Sequence, residues 1–277
     1  MNTMIMMAAI GMITAGTAFS QTGTLGVKKG TKATYEMSTK SDVVQTVQEQ
    51  DLTVNSTGTA TLELGVKNIA RDHIDWTFTL AKMRLMMGSP ASPSMKKDTT
   101  VKGTPMPFTT DLNGKVISMF SPEANQTGKM MMGFRKTSVT EFFSPTLTRT
   151  LKPGDSWEEN SIDTIENAQL QGVKIYVSRT TKYTFDGGVD TLKAKTVRLR
   201  TEVTSMSISG TGSIQGLKLD IHGDGISTAI SYYTASDGLL LVSGSVGEMN
   251  MRVMSTGQVE MVIPVVYKFS SSTVRKS

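Results

Sequence analysis

The chain has 277 residues, a formal net charge of +5 and no cysteine. The lack of cysteine excludes disulfides, thiol catalysis, cysteine metal sites and attachment of lipid to a cysteine. The charges are scattered, without the concentrated basic stripe of a nucleic-acid-binding protein, so we predict no nucleic-acid partner.

The first 20 residues have the form of a secretory signal peptide. They carry no charged side chain, and an apolar stretch precedes Ala18-Phe19-Ser20, which fits the small-x-small cleavage rule. The apolar stretch is about ten residues long, too short to span a bilayer as a helix. We therefore predict a signal peptide over residues 1–20 and a single β-rich domain over residues 21–277. The domain would be exported to the periplasm or the extracellular space, with no transmembrane span after cleavage.

Alternation of apolar and polar residues predicts strands in the first part of the domain. Ala33–Val47 and Asp51–Val66, joined by Gln48-Glu49-Gln50, are typical of a hairpin, with Gly58 acting as a bulge or bend. His73–Leu85 follows as a third strand with a large aromatic content.

The middle of the chain is less regular. Proline and serine are dense over residues 86–108, which predicts a long, exposed excursion or lid. Asp111-Leu112-Asn113-Gly114 is typical of a hairpin turn. One helical segment, or two short helices, is predicted over residues 121–143, where Ser121-Pro122-Glu123 is a favourable helix start. The segment is unusually apolar, and we expect it to pack on the inner face of the sheet.

The second half predicts a succession of strands. Gly187-Gly188 and Asp237-Gly238 are typical of tight turns, and Pro264 favours an edge position for the last strand. Several strands run for twelve or more residues, about 40 Å at 3.3 Å per residue, and long antiparallel strands coil. We therefore predict a mainly β fold, a curved antiparallel sheet or half-open barrel with the helical segment packed on it. The strands are expected at about Asp163–Ala168, Val173–Phe185, Lys193–Ser207, Gly212–Asp220, Ile226–Thr234, Leu239–Met254 and Gln258–Ser270. In the last of these, every odd position is apolar and is expected to face the core: Val259, Met261, Ile263, Val265, Tyr267 and Phe269.

Three short motifs carry a resemblance. They are Lys29-Gly30-Thr31-Lys32-Ala33-Thr34-Tyr35, Asp111-Leu112-Asn113-Gly114-Lys115-Val116, and the turn Leu151-Lys152-Pro153-Gly154-Asp155-Ser156-Trp157. With them, the chain resembles a poorly characterised class of exported bacterial β-rich proteins. Its general plan is similar to the open-barrel lipid carriers of the cell envelope, which implies a curved sheet that cradles acyl chains. The resemblance supplies no catalytic residues, and the chain has no cysteine for a lipid anchor.

Residues able to carry chemistry are few. Asp220, His222 and Asp224 alternate on a strand and could present three ligands to one cation, although the glycines between them also fit a strand end and turn. The adjacent pair Glu158-Glu159 would point to opposite strand faces, which does not suit acid–base catalysis. No Gly-x-Ser-x-Gly elbow and no phosphate loop is present, so we predict a protein that is not an enzyme and holds no metal or cofactor.

The sequence thus predicts an exported, non-enzymatic protein that binds an apolar small molecule or lipid in its curved sheet. The alternative is a structural or adhesive β module of the cell envelope with a fully packed core. An outer-membrane barrel is disfavoured because aromatic residues are only 6% of the chain. The oligomeric state and the identity of the ligand stay open. The residues predicted to contact the ligand are Met130, Met131, Met132, Phe134, Phe142 and Phe143.

Overall fold

The computed structural model describes residues 19–20, 23–89, 92–101, 103–119, 139–166, 173–214, 217–256 and 260–276. Strands β1 and β8 form a short antiparallel pair, and the remaining strands form one antiparallel sheet in the order β7-β6-β4-β3-β2-β14-β13-β12-β11-β10-β9. Strand β5 pairs with β4 beside β6. The strands are β1 (Phe19–Ser20), β2 (Lys32–Val47), β3 (Gln50–Ile69), β4 (His73–Ser89), β5 (Ser92–Val101), β6 (Met106–Asp111), β7 (Val116–Met119), β8 (Thr150–Leu151), β9 (Ser156–Glu166), β10 (Lys174–Thr191), β11 (Ala194–Ile214), β12 (Leu217–Thr234), β13 (Leu240–Thr256) and β14 (Met261–Arg275).

The strands are long, and the sheet is curved without closing into a barrel. Strand β3 has 20 residues and β11 has 21, so each extends for about 70 Å at the usual rise per residue. Strands of this length accumulate right-handed twist, and a sheet built from them coils. The predicted mainly β fold with a curved, open antiparallel sheet is confirmed.

The hydrophobic core lies on one face of the sheet, at one end of the strands. We call this face the inner face, the opposite face the outer face, and this end the core end. On β4, Ile74, Trp76, Phe78 and Leu80 are buried on the inner face, as the alternation predicts. Other core side chains come from distant strands, among them Tyr35 of β2, Phe108 of β6, Phe185 of β10, Leu199 of β11 and Tyr233 of β12.

A short segment after residue 138 joins the two sides of the sheet. The Phe142 ring centroid lies 4.7 Å from that of Tyr35, while the Phe142 carbonyl accepts a 2.9 Å hydrogen bond from the Leu240 amide. The Phe143 ring lies 5.1 Å from Trp76 in an edge-to-face arrangement. Because β4 and β13 are far apart in the sheet order, these contacts require the sheet to curve around the segment.

Most of the predicted helix, up to residue 138, lies outside the described residues. Its described end, residues 139–143, is a single turn in which the amides of Phe142 and Phe143 donate to the carbonyls of Val139 and Thr140. The described part of the chain contains no longer helix.

The predicted excursion over residues 86–108 was wrong. Strand β4 continues to Ser89, and β5 turns back to pair with it, so the described residues of this region form an extended hairpin. Pro93 lies between the paired residues Ser92 and Lys97 of β5, where the register shifts, so its missing amide hydrogen interrupts no regular ladder.

Two of the predicted turns are confirmed and one was wrong. The hairpin at Asp111–Gly114 forms between β6 and β7, and Asp237-Gly238 joins β12 to β13. Gly187-Gly188 instead lies inside β10 at a register shift, and the turn falls at Leu192-Lys193. A bulge and a turn both use glycine, so the glycine pair alone does not distinguish them. The predicted break at residues 221–225 is also absent, since β12 is continuous.

The positions of Pro264 and Gly58 also differ from the predictions. Strand β14 is central rather than at an edge, but its pairing with β2 begins only at Val265, so Pro264 stands where that ladder ends. Gly58 pairs regularly with Thr39 and Leu85 and makes no bulge. A Cβ at Gly58 would lie 2.7 Å from the Thr39 hydroxyl, so this position favours glycine because a larger residue would not fit.

The predicted turn over Leu151–Trp157 is confirmed, and it leads directly into β9. The Asp155 carboxylate accepts a 2.8 Å hydrogen bond from the Lys152 amide, and Gly154 has a φ of 96°, which favours glycine. The turn is attached to the end of β10, because the Gly154 amide donates to the Phe185 carbonyl at 2.7 Å.

Replacing Tyr35 by phenylalanine should raise the free energy of unfolding by about 1 kcal/mol at neutral pH. Tyr35 is fully buried, and its hydroxyl has no hydrogen-bond partner among the described residues. The native state therefore loses the hydration of that group without compensation. Tyr233→Phe is the matched control. Its hydroxyl donates to the Glu141 carbonyl at 3.1 Å, and its loss should cost about 1 kcal/mol. Urea unfolding of both variants measures this, and a less stable Tyr35→Phe protein would contradict the argument.

Candidate functional site: the inner face beyond the core

The inner face continues well beyond the core. We call the parts of β2–β4 and β11–β14 that extend away from the core end the far half of the sheet. Cross-strand pairing places Val43 beside Val54 and Tyr267, and Met249 beside Tyr267, so their side chains share the inner face. These four side chains are half-buried. The apolar inner-face residues of the far half are Val43, Leu52, Val54, Met83, Leu85, Met87, Val203, Met206, Ile208, Leu219, Ile221, Met249, Met251, Val253, Met261, Ile263, Val265, Tyr267 and Phe269.

Charge is segregated between the two faces of the far half. Among the described residues, its inner face carries no charged side chain from β4 to β11. The outer face of the same strand segments carries Lys40, Asp42, Asp51, Lys82, Arg84, Glu202, Asp220, Asp224, Glu248, Arg252 and Lys268. Isolated apolar residues such as Val246 are also exposed on the outer face, but charged residues lie among them. A solvent-facing surface normally carries charges, so the inner face is not an ordinary solvated face.

Glycines allow large apolar side chains to lie flat on the inner face. Met249 covers Gly225, where an added Cβ would lie 2.8 Å from the Met249 Cγ. Phe269 covers Gly247 in the same way, with its Cζ 2.5 Å from the position of a Cβ. The resulting surface is apolar, and its methionines are flexible enough to accept varied apolar partners.

The polar inner-face residues of the far half include small hydroxyls that pair with one another across strands. Ser41 pairs with Ser56 at 2.6 Å, and Ser245 pairs with Ser271 at 2.7 Å, measured between the Oγ atoms. These hydroxyls are therefore satisfied within the sheet and do not require water or a polar ligand.

Charged inner-face residues are concentrated near the β9 edge. Arg179 of β10 donates from Nε to the Ser161 hydroxyl at 3.0 Å, and its Nη2 lies 3.6 Å from the Asp163 carboxylate. Closer to the core end, Trp157 stacks on Tyr183 with ring centroids 5.2 Å apart. We call these residues, together with Glu159, the edge cluster.

Arg149 caps the edge cluster. Its guanidinium lies 4.6 Å from the centroid of the Trp157 ring, and its Nη2 lies 3.3 Å from the Glu159 carboxylate. The Trp157 indole nitrogen donates to the same carboxylate at 3.0 Å. The edge cluster therefore neutralises most of its own charge.

The electrostatic environment of the edge cluster shifts two pKa values. Burial and, to a smaller extent, the nearby Glu159 carboxylate raise the pKa of Tyr183 to about 12, against the opposing effect of Arg179. The pKa of Glu141 is also raised, first by the protein around it and then by Asp163, against the opposing effect of Arg179. The Glu141 side chain is itself exposed to solvent. It nevertheless lies inside the curve of the sheet, where the surrounding protein disfavours the charged carboxylate.

The structure places two of the predicted ligand contacts in the core. Phe142 is 4% exposed and Phe143 is 3% exposed, and both pack against aromatic side chains of the sheet. Met130, Met131, Met132 and Phe134 lie outside the described residues, so a ligand contact by these four stays a prediction.

The residues considered for chemistry do not converge. His222 lies 3.0 Å from Asp220 on the outer face, but Arg252 is its partner on the neighbouring strand. The described residues contain no group of three histidine or acidic side chains placed to hold a metal ion. Glu158 and Glu159 occupy successive positions on β9 and therefore opposite faces, as predicted.

The far half was only partly recognised from the sequence. The odd positions of the last strand were predicted to be core, and they do face inward, but only Val265 of the described ones is fully buried. Comparing the charges at odd and even positions of each strand would have revealed the uncharged face. Which strands are neighbours depends on the sheet order, which that comparison does not provide.

Comparisons with known proteins give no family. No family model matches the chain, and no curated protein matches it. A solved structure of lipovitellin, described for its lipid–protein interactions, has a TM-score of 0.47 and 9% identity, and the match covers 90% of this chain. The chain spans only 25% of the length of that lipovitellin chain.

Other solved structures are more distant. Salmonella typhi OmpF in complex with daunomycin has a TM-score of 0.24 and 4% identity, over 90% of this chain and 98% of that chain. An outer membrane lipoprotein-sorting protein domain from Vibrio parahaemolyticus, described as putative, has a TM-score of 0.14 and 7% identity, over 87% and 83% of the two chains. Likenesses at this level establish neither a shared fold nor a function. No helix in the described ranges is long and apolar enough to cross a membrane.

Proposed function

We propose that the protein is an exported, non-enzymatic binding protein that holds an apolar or lipid-like ligand against the inner face of the far half. The observation that carries this proposal is the charge segregation between the two faces. Among the described residues, the inner face stays apolar and uncharged beyond the core. Most of its side chains there are only half-buried, while Val203, Ile208, Ile221 and Val265 are buried. An apolar ligand laid on this face would remove that surface from water, at about 25 cal/mol for each Å².

Export to the periplasm or the extracellular space is part of the same proposal. The uncharged segment that ends at Ser20 supports export, and the lack of cysteine fits an oxidising compartment as well as a reducing one. The edge cluster marks a polar border of the proposed binding face, and it supplies no nucleophile paired with a base.

The direct test is to purify the protein, extract it with organic solvent and analyse the extract by mass spectrometry. Titration with N-phenyl-1-naphthylamine, a neutral apolar fluorophore, then measures binding by the protein itself. Recovery of an apolar compound and saturable fluorophore binding are expected. A protein that yields no such compound and does not bind the fluorophore would support the alternative, a structural module.

Met249→Asp should weaken fluorophore binding at least about tenfold, because a carboxylate at the centre of the apolar face loses its hydration when the ligand covers it. Val246→Asp is the matched control on the same strand. Val246 is 56% exposed on the outer face, and its replacement should change binding less than about twofold. Met249→Gln, which adds no charge, should have an intermediate effect. Equal effects of Met249→Asp and Val246→Asp would place the ligand elsewhere.

A further inference from the structure

A pocket of about 220 Å³ opens on the outer face near the core end of β2 and β3. Its floor is Gly65, which lacks a side chain, and Thr77 on the neighbouring strand borders the floor. Three lysines, Lys29, Lys32 and Lys67, line its rim. The pocket lies on the face opposite the proposed ligand-binding face and is independent of it.

Local backbone features bring the three lysines together. Gly30, with a φ of 86°, turns the chain between Lys29 and the start of β2. The β2–β3 pairing sets Lys32 directly beside Gly65. A register shift between Val66 and Asn68 leaves Lys67 as an extra residue, and a bulge of this kind redirects the side chain.

The charges of the three lysines are not compensated within the described part of the chain. None of the three forms an ion pair with a described residue. Glu63, the next residue on the outer face of β3, lies two positions along from the paired Lys32 and Gly65 and also forms no ion pair with a described residue. Asp75 on β4 is engaged by other partners, because it accepts hydrogen bonds from Asn68 and Thr109. Like charges held close together repel, and a bound anion would offset that repulsion.

The size of the pocket agrees with such an anion. Its volume of about 220 Å³ exceeds that of several water molecules, each of which occupies about 30 Å³ in the liquid. The Thr77 hydroxyl borders the floor and donates to the Gly65 carbonyl at 3.4 Å, so the donors for an anion are the three lysines. Lysine ammonium groups are effective partners for phosphate. We propose that this pocket binds a phosphate group, either free or carried by a lipid headgroup.

Two probes distinguish the two sources of phosphate. Inorganic phosphate is titrated into the full chain by calorimetry. Phosphatidylcholine vesicles, with and without phosphatidylglycerol, are tested separately by cosedimentation. The double variant Lys32→Gln, Lys67→Gln should weaken binding by at least about tenfold, since each lost charge-assisted hydrogen bond has a large effect.

The controls separate this pocket from general basicity. The double variant Lys40→Gln, Lys218→Gln removes the same charge from exposed outer-face lysines away from the pocket, and it should bind as the unaltered protein does. Gly65→Val keeps the charge but fills the floor, where an added Cβ meets only the Thr77 hydroxyl, at 3.0 Å. This variant should also lose binding.

Each outcome decides the proposal. Binding of inorganic phosphate that both pocket variants weaken supports a site for free phosphate. Binding only to vesicles that contain phosphatidylglycerol, with the same pattern among the variants, supports a site for lipid-borne phosphate. No binding to either probe, or an equal loss in the Lys40→Gln, Lys218→Gln protein, overturns the proposal.

Discussion

Replacing Trp76 by alanine is expected to lower the free energy of unfolding by about 3–5 kcal/mol, the usual range for truncating a large buried aromatic side chain. Trp76 is 1% exposed, and its ring lies 6.0 Å from that of Phe108 and 5.1 Å from that of Phe143. The alanine variant would leave a cavity where the sheet meets the segment that it curves around. The cost should fall in the upper part of the range, because a polar partner is also lost.

That partner is Thr110. The Trp76 indole nitrogen donates to the Thr110 hydroxyl at 2.9 Å, and both residues are buried, so truncation leaves the hydroxyl without its donor. Trp76→Phe keeps most of the ring contacts and loses this hydrogen bond, and should cost about 1–2 kcal/mol.

The second tryptophan provides a matched control. Trp157 lies on the edge strand β9, half-buried between Tyr183 and Arg149. Trp157→Ala should cost clearly less than Trp76→Ala, about 1 kcal/mol, because no enclosed cavity forms. Guanidinium unfolding of the three variants measures the difference. A similar loss from Trp76→Ala and Trp157→Ala would show that the core end does not dominate stability.

The strand pattern of this protein could be predicted from the sequence because it follows from local alternation. Residues 73–80 alternate so regularly that their buried face could be assigned residue by residue, whereas the register shift at Ala81, which moves the inner face to Met83 and Leu85, could not. The hairpin between β2 and β3 could also be predicted, because Gln48-Glu49-Gln50 separates two alternating segments, and the structure places the turn at Gln48 and Glu49, both with positive φ.

The failures arise where one residue type serves two structures. Proline and serine near residue 93 indicated a lid, but an edge strand with a register shift accommodates the same residues. Gly187-Gly188 indicated a turn, but glycine is equally suited to a bulge inside a long strand. Deciding between these structures requires the neighbouring strand, which a local pattern does not provide.

The two candidate sites depend on the sheet order for the same reason. Lys32 and Lys67 are distant in sequence and line the same pocket because β2 pairs with β3 in one register. The apolar inner face is assembled from seven strands, and β14 becomes central only because it pairs with β2, a strand from the beginning of the domain that lies in the middle of the sheet order. A one-residue change of register would exchange the inner and outer sets of any strand.

Stability is expected to fall steeply above pH 10, because two tyrosines are buried in the core. Burial raises the pKa of both Tyr35 and Tyr233 well above the ordinary value of 10.0. Between the unfolded and the folded pKa, the native protein keeps the phenol proton that the unfolded chain has released. The native state then binds more protons, so the free energy of unfolding decreases as the pH rises.

The size of this effect follows from the number of protons. Each tyrosine contributes a loss of about 1.4 kcal/mol per pH unit once its unfolded form is ionised, so the pair contributes about 3 kcal/mol per pH unit above pH 10. Tyr183 adds a smaller loss that ends near its folded pKa of about 12. Below pH 10 all three are protonated in both states and contribute no slope.

The double variant Tyr35→Phe, Tyr233→Phe tests this account. It should lose most of the alkaline slope and keep the part due to Tyr183, while its stability near pH 7 should be close to that of the unaltered protein. The two changes at neutral pH are opposite in sign. Tyr35→Phe removes a hydroxyl that has no partner in the described part of the chain, and Tyr233→Phe removes a hydrogen bond. Urea unfolding at a series of pH values from 7 to about 11.5 measures the slope, within the range where tyrosine ionises. An unchanged slope in the double variant would mean that these phenols titrate normally, and that the core end opens to water before the protein unfolds.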